Sequence, residues 1–396
     1  MLANRVNEIT ISPTMMVAAE AKKLKARGVD IIDLSVGEPD FHTPNQIKDA
    51  GKIAIDENRT RYTLNQGTVE LRTAIAQKLK RENNLEYTLN EIIVSNGAKQ
   101  SVFNSIFALI NPGDEVIISA PHWVSYPSMI SLAGGKSVVI HTDETTGFKI
   151  TPDMLLRVIT EKTKLLIICN PSNPTGAVYT QKELSDLADI VIKYNLYVLA
   201  DEIYEKLVYD EARFFSFASV APELKNRTIV VNGVSKSYAM TGWRVGYAAA
   251  SEDIISAMNK IQSHTTSHAS SISQHAAIEA IAGSQHVIKE MLNEFKERRD
   301  FFLNAISSIN GINCYKPDGS FYLFPNITFY LNKKYNNKKI ETSIDLAMFL
   351  LSESHVAVVP GSAFGGEGYL RMSYSTSMNN LKEAFNRIKL GLEKIL

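Results

Sequence analysis

The sequence predicts an α/β protein: a mostly parallel sheet covered by helices, with a second, smaller α+β domain beside it. Three observations lead there. Between about residues 90 and 250, short β-rich runs alternate with helical patterns, as β-α units do. Several of these runs are apolar throughout, which suits strands buried on both faces. The 396 residues also exceed one ordinary core. Two domains are therefore expected, a large one over 45–285 and a small one built from 1–44 together with 286–396.

In chain order, the first forty residues carry one helix (Met16 to Ala26, stopped by Gly28) and one strand (Asp30 to Ser35). That is too little for a separate domain, so this segment should join the carboxyl-terminal part. Strands are expected at 91–95, 115–119, 136–141, 164–169, 196–200, 228–232 and 244–248. After residue 285 come a long charged helix (286–306), shorter strands and an amphipathic helix near 378–394. The run N-K-K-Y-N-N-K-K at 332–339 reads as a solvated loop.

Charge and composition remove several function classes. Forty-two basic residues balance forty-two acidic ones, so no global field recruits nucleic acid or an anionic membrane. The start of the chain lacks a signal-like apolar core and no apolar run approaches a membrane span, which predicts a cytoplasmic protein. Cys169 and Cys314 are too few and too far apart for a disulfide framework or a zinc site, and both read as core residues. H-T-T-S-H at 264–268, with His275 beyond it, lacks the glutamate of a zinc helix, so no metal is expected and a polar face or subunit contact is.

In sheets of this kind ligands bind outside the carboxyl ends of the strands. The residues there are N-G-A-K-Q (96–100), H-W (122–123), N-P-S-N-P-T-G (170–176), D-E-I-Y (201–204) and S-K-S-Y-A-M-T-G-W-R-V-G-Y (235–247). Gly97 opens an amphipathic helix whose first N–H groups would face an anion, although no nucleotide-binding P-loop or dinucleotide fingerprint is present. Asp201 ends an apolar strand, where a carboxylate needs a cation or several donors. Lys236 follows another strand, and a lysine with a depressed pKa is a nucleophile toward aldehydes. Together they supply the two poles of a pyridoxal site, one for the aldehyde carbon and one for the ring nitrogen. Taken singly, Trp123, Arg244 and Tyr62 could be an ordinary buried aromatic, a structural cation and a surface phenol.

These motifs, from S-V-G-E-P-D-F (35–41) to Y-L-R-M-S-Y-S (369–375), resemble in order those of the class I, fold-type I aminotransferases, especially the bacterial aspartate branch. The resemblance implies pyridoxal 5'-phosphate as cofactor, with Lys236 as its Schiff-base lysine, Asp201 on the ring nitrogen, Tyr204 and Asn173 on the phenolic oxygen and Trp123 on the ring face. For the phosphate it implies the backbone of Ala98 and Lys99, the side chains of Ser235 and Arg244, and Tyr62 of the partner subunit in a homodimer with shared sites. Ser237 or a backbone N–H is an alternative to Ser235. For the substrate it implies Arg371 on the α-carboxylate, helped by Asn173, with the backbone at Gly37 closing over it. Lys236, Asp201 and Tyr204 form the catalytic set.

The implied reaction is ping-pong transfer of the amino group of L-aspartate to 2-oxoglutarate, with small amino acids and 2-oxo acids as partners. Aromatic, alanine or branched-chain donors are alternatives on the same scaffold. Members of the branch that accept prephenate carry a basic residue two positions before the serine aligned with Ser12; Thr10 stands there, which weakens the case for prephenate. A lyase or synthase of the same fold would share Lys236 and Asp201. A non-catalytic regulator would need a nucleic-acid module, for which the chain has no spare residues.

Overall fold

The computed structural model of the chain describes residues 3–7, 9 and 13–395. At its centre is a seven-stranded sheet. From one edge to the other the strands are Lys136–His141, Glu115–Ala120, Thr163–Cys169, Tyr197–Asp201, Thr228–Gly233, Gly246–Ala249 and Ile92–Ser95. Gly246–Ala249 runs antiparallel to both its neighbours, and every other pairing is parallel. The apolar runs explain this burial: Leu199 packs into the core on one face, while Val198 and Ala200 pack into the core on the other.

The helices over the sheet start and stop where local chemistry directs. Gln181–Lys193 opens with a reciprocal Thr180–Glu183 capping box. Val69–Asn83 starts at the Thr68 hydroxyl and ends at Asn84 in the left-handed region. Ala98–Leu109 begins at Gly97, whose φ of +81° is open to glycine. A side chain at Gly246 would collide with the backbone at Gly97 and Ala98. Glycine there lets the reversed strand run directly against the start of that helix.

The carboxyl-terminal third adds a three-stranded antiparallel sheet, Val359–Pro360, Leu370–Ser373 and Tyr322–Leu323 in that order, next to the long helix His286–Ser307. The amino-terminal segment meets this part of the chain. Ile32–Asp33 pairs in parallel with Val356–Ala357, and Val17 and Ala21 of the helix Pro13–Ala26 pack with Leu351.

Three local expectations change. The strand expected at 30–35 pairs only over Ile32–Asp33. The strand expected from residue 244 starts at Gly246, because Arg244 adopts φ +53° and leaves the extended conformation. The 332–339 segment is a small hairpin, Lys334–Tyr335 against Lys338–Lys339; Asn336 and Asn337, both at positive φ, supply the two-residue turn that an antiparallel pair favours. Among the described residues no helix is long and apolar enough to cross a membrane.

Beneath the sheet end lies an unusual acid. Glu202 is 1% exposed; its Oε1 accepts from Ser216 Oγ (2.8 Å) and from the Phe217 N–H (3.1 Å), while Oε2 has no partner. Burial pushes its carboxyl up to about 8, with the two donors only partly opposing it. A folded pKa above the ordinary 4.5 means stability that is complete below about pH 4.5 and is lost as pH rises through about 8. Glu202→Gln should remove that slope. In melts from pH 5 to 8 the variant should gain on the native chain by a few degrees, roughly, toward the alkaline end; parallel curves would assign the slope elsewhere.

Candidate active site

The carboxyl ends of Thr163–Cys169, Tyr197–Asp201 and Thr228–Gly233 and the start of the helix Ala98–Leu109 meet at one cavity of about 450 Å³. Gly37, Ala98, Lys99, Trp123, Asn173, Asp201, Tyr204, Ser235, Lys236, Arg244 and Arg371 all line it. Residues more than 330 positions apart thus share one wall.

Asp201, 6% exposed, occupies the floor. Its Oδ2 accepts from the Tyr126 hydroxyl at 2.7 Å and its Oδ1 from the Ile203 N–H at 3.4 Å. Both donors are neutral, and among the described residues no ion pair reaches this carboxylate. Burial therefore raises its pKa, opposed by Tyr126, Ile203 and the charge of Lys236. A buried acid so placed is completed by a cation arriving from the cavity.

Lys236 is partly buried, with its Nζ donating to the Gly37 carbonyl and lying 5.9 Å from the ring centres of Tyr204 and Phe321. Burial, reinforced by Arg371 and Arg244, lowers its pKa to about 8; Glu38 and Asp201 oppose the shift. Tyr204 is 3% exposed, and its hydroxyl lies 2.9 Å from that of Tyr322.

Arg371, on the strand Leu370–Ser373, is held on three sides. Nη1 donates to Asn173 Oδ1 (3.1 Å) and Nη2 to the Ser35 carbonyl (2.8 Å), while the guanidinium lies 4.3 Å from the Tyr322 ring centre and 5.0 Å from that of Phe364. Its Nε is buried without a partner. A fork oriented this firmly suits a planar carboxylate.

The other end of the cavity suits a phosphate. The helix Ala98–Leu109 has no side-chain cap, so its first N–H groups are free to meet an anion. Arg244 is packed so close to Gly97 that a side chain there would strike its guanidinium, and it donates to the carbonyls of Thr241 (2.8 Å) and Asn96 (3.4 Å). Ser235 lines this cavity, whereas Ser237 lines a separate one beside Phe41 and Ile47. The residues present thus fit pyridoxal 5'-phosphate: an acid without a cation, an amine of lowered pKa and an uncapped helix start beside an arginine.

Tyr62 stands apart. It is 94% exposed, outside the cavity, and edge-on to His268 at 5.5 Å. His264 and His268 do not share a helical face, because the helix ends at Ser263 and Ser267 turns the chain with φ +58°. Among the described residues no cluster of His, Cys, Asp or Glu could hold a metal. Thr10 and Ser12 lie outside the described residues.

Sequence reasoning missed Tyr126, Tyr322, Phe364, Glu38 and Thr241, all of which touch the site or its first contacts. Tyr126 had a signal, lying three residues after Trp123 and meeting it edge-on at 5.3 Å. Tyr322 and Phe364 had none beyond an aromatic composition. Cys169, read as core, is free and half-buried; it lines the cavity next to Asp201 in the sheet register, and burial pushes its thiol pKa up, so it is a neutral wall.

Comparison with known proteins agrees with this geometry. Residues 29–388 match the family of class I and II aminotransferases. An aspartate aminotransferase of Bacillus sp. (strain YM-2) is 47% identical over 389 residues, 98% of each chain. An aspartate/prephenate aminotransferase of Nitrosomonas europaea is also 47% identical, again over 98% of each chain. The crystal structure of an aspartate aminotransferase from Rhizobium meliloti superimposes with a TM-score of 0.97 at 43% identity, covering all of both chains. With so much of its length matched at this identity, the chain belongs to the class I and II aminotransferase family.

Proposed function

We propose that this protein is an aspartate aminotransferase that moves the amino group of L-aspartate to 2-oxoglutarate, with Lys236 as the covalent anchor of pyridoxal 5'-phosphate. The observation that carries the reading is the opposition of a lysine with pKa about 8 and a buried carboxylate without a cation across one cavity. When bound, the cofactor supplies an aldehyde to engage the amino group and a protonated ring that draws electrons from the α carbon.

Asp201, braced by Tyr126, would keep the ring nitrogen protonated. Tyr204 and Asn173 would hold the phenolic oxygen, and Trp123 would cover the ring. The N–H groups of Ala98 and Lys99, with Ser235 and Arg244, would hold the phosphate. Lys236 Nζ, once free and neutral, takes the α-carbon proton and returns it. Arg371 grips the α-carboxylate, and the Gly37 backbone covers it. Lys99 supports the dicarboxylate preference: its ammonium lies 5.0 Å from the Trp123 ring centre, lines the cavity and has no ion-pair partner among the described residues. We assign it to the distal carboxylate. The likeness to the aspartate/prephenate aminotransferase of Nitrosomonas europaea favours prephenate as a second amino acceptor, whereas Thr10 counts against it.

A homodimer with shared sites completes the reading. Tyr62 sits on a stretch that also leaves Ile53, Ile55, Leu64 and Val69 exposed, as a subunit contact would require. The pairing of Ile32–Asp33 with Val356–Ala357 supports the proposed small domain of 1–44 and 286–396 beside a large one of 45–285.

Three outcomes test this. In a screen of amino donors against 2-oxoglutarate, aspartate should give its oxo acid with the highest kcat/KM, and Lys236→Ala should abolish turnover; no oxo acid from any donor would transfer the protein to the lyase class. Arg371→Lys should lower kcat/KM for every accepted donor alike, by about tenfold or more, whereas Lys99→Met should penalise aspartate and glutamate and spare aromatic donors; a loss confined to dicarboxylates in Arg371→Lys would exchange these roles. Hybrid dimers of Lys236→Ala and Tyr62→Phe subunits should contain one intact site, because both lesions fall in the other. A tyrosine serving its own subunit would leave no intact site.

A further inference from the structure

The rim segment 35–41 is fastened over the cavity partly by donors that the proposed reaction needs elsewhere. Arg371 Nη2 donates to the Ser35 carbonyl at 2.8 Å, and Lys236 Nζ donates to the Gly37 carbonyl. A substrate carboxylate competes for the first and a cofactor aldehyde for the second. Loading the site therefore weakens both ties.

What remains lies on two sides. Ser375, just past the strand Leu370–Ser373, donates through Oγ to the Glu38 carbonyl (2.8 Å) and accepts from the Asp40 N–H (3.0 Å), while Arg298 pairs with Asp40 at 2.6 Å. These hold one edge of the segment. Across the mouth, the Thr241 hydroxyl donates to Glu38 Oε2 at 2.7 Å, and the Thr241 carbonyl accepts from Arg244 Nη1 at 2.8 Å. Glu38 and Thr241 both line the cavity, and Glu38 has no ion-pair partner among the described residues.

We propose that Glu38 is a positioning residue: through Thr241 it clamps the rim segment across the loaded cavity, joining the loop over the substrate to the segment that carries Arg244. The proposal rests on the aminotransferase reading for what loads the site. Its significance is that the clamp uses neither Arg371 nor Lys236, so it persists when both are engaged.

Two substitutions separate the hydrogen bond from the charge. Thr241→Val removes the donor and keeps shape and carboxylate; Glu38→Gln removes the charge and keeps an acceptor oxygen. The measurements are amide hydrogen exchange over 36–41 in the holoenzyme, with and without maleate as an unreactive dicarboxylate, and KM and kcat for aspartate. With maleate present, Thr241→Val should exchange about three- to tenfold faster than the native protein, the range expected for one exposed hydrogen bond. Its KM for aspartate should rise by a similar factor with kcat changed less. Glu38→Gln should stay within about twofold of native in the exchange rate over 36–41. Native exchange in Thr241→Val, the same acceleration without maleate, or a Glu38→Gln variant exchanging as fast as Thr241→Val would each overturn the clamp. Exchange is read whether or not an amino group moves, so failure of the donor screen is distinguishable from failure of the clamp.

Discussion

A carboxylate buried at the end of an apolar strand, within reach of neutral donors alone, is the constraint around which the site is arranged. Taking an ion out of water costs several kcal/mol even after relaxation, and the Tyr126 hydroxyl and the Ile203 N–H recover only part of it for Asp201. Such an arrangement persists in a stable fold when a ligand completes it. The same logic runs through Lys236, whose pKa near 8 reflects burial and the two neighbouring arginines. Stability and function thus pull against each other at the same strand ends, and the apolar sheet behind them, closed on both faces, absorbs the difference.

Close backbone approach is the second requirement, and glycine provides it. Gly246 lets the reversed strand lie against the start of the helix Ala98–Leu109, and Gly97 supplies the positive φ that launches the helix toward the cavity. Arg244 then fits over Gly97 where a Cβ would exclude it. Helix start, reversed strand and arginine therefore form one unit. Substituting any of them would displace the others, even though only the arginine carries charge.

Much of this was legible in the sequence because two of its signals are local. Short β-rich runs located all seven strands of the large sheet to within about two residues, most of them apolar enough to be buried on both faces, whereas the edge strand Lys136–His141 is partly exposed. Of the twelve expected site residues eleven line one cavity: nine lie in the motifs at the strand ends, which the fold delivers to one edge, while Gly37 and Arg371 came from the family resemblance. What escaped was tertiary. Tyr322, on the two-residue strand Tyr322–Leu323, and Phe364, at the end of a single helical turn, reach Arg371 from elements too short to carry a periodic signature, and the Glu38–Thr241 bond joins residues 203 positions apart. Tyr62 shows the opposite limit: the family resemblance singles it out, yet on one chain it is an exposed phenol, because its proposed role needs a second copy.

The charge balance of the cavity explains how a neutral protein can attract anions. Basic and acidic residues cancel over the whole chain, so no long-range field guides a ligand at physiological salt. Four basic side chains, Lys99, Lys236, Arg244 and Arg371, face the cavity against two acidic ones, Glu38 and Asp201. The excess is positive and confined within low-dielectric walls of Trp123, Tyr204, Tyr322 and Phe364, where each interaction is stronger than in water. Asp201 sits deep, hydrogen-bonded to Tyr126, while Glu38 lies at the rim, tied to Thr241. A phosphate at one end and carboxylates at the other would meet the basic groups, leaving the buried acid for a cationic ring nitrogen. Segregation of charge along one cavity, more than its total, is therefore what selects a ligand with both an anionic tail and a basic ring.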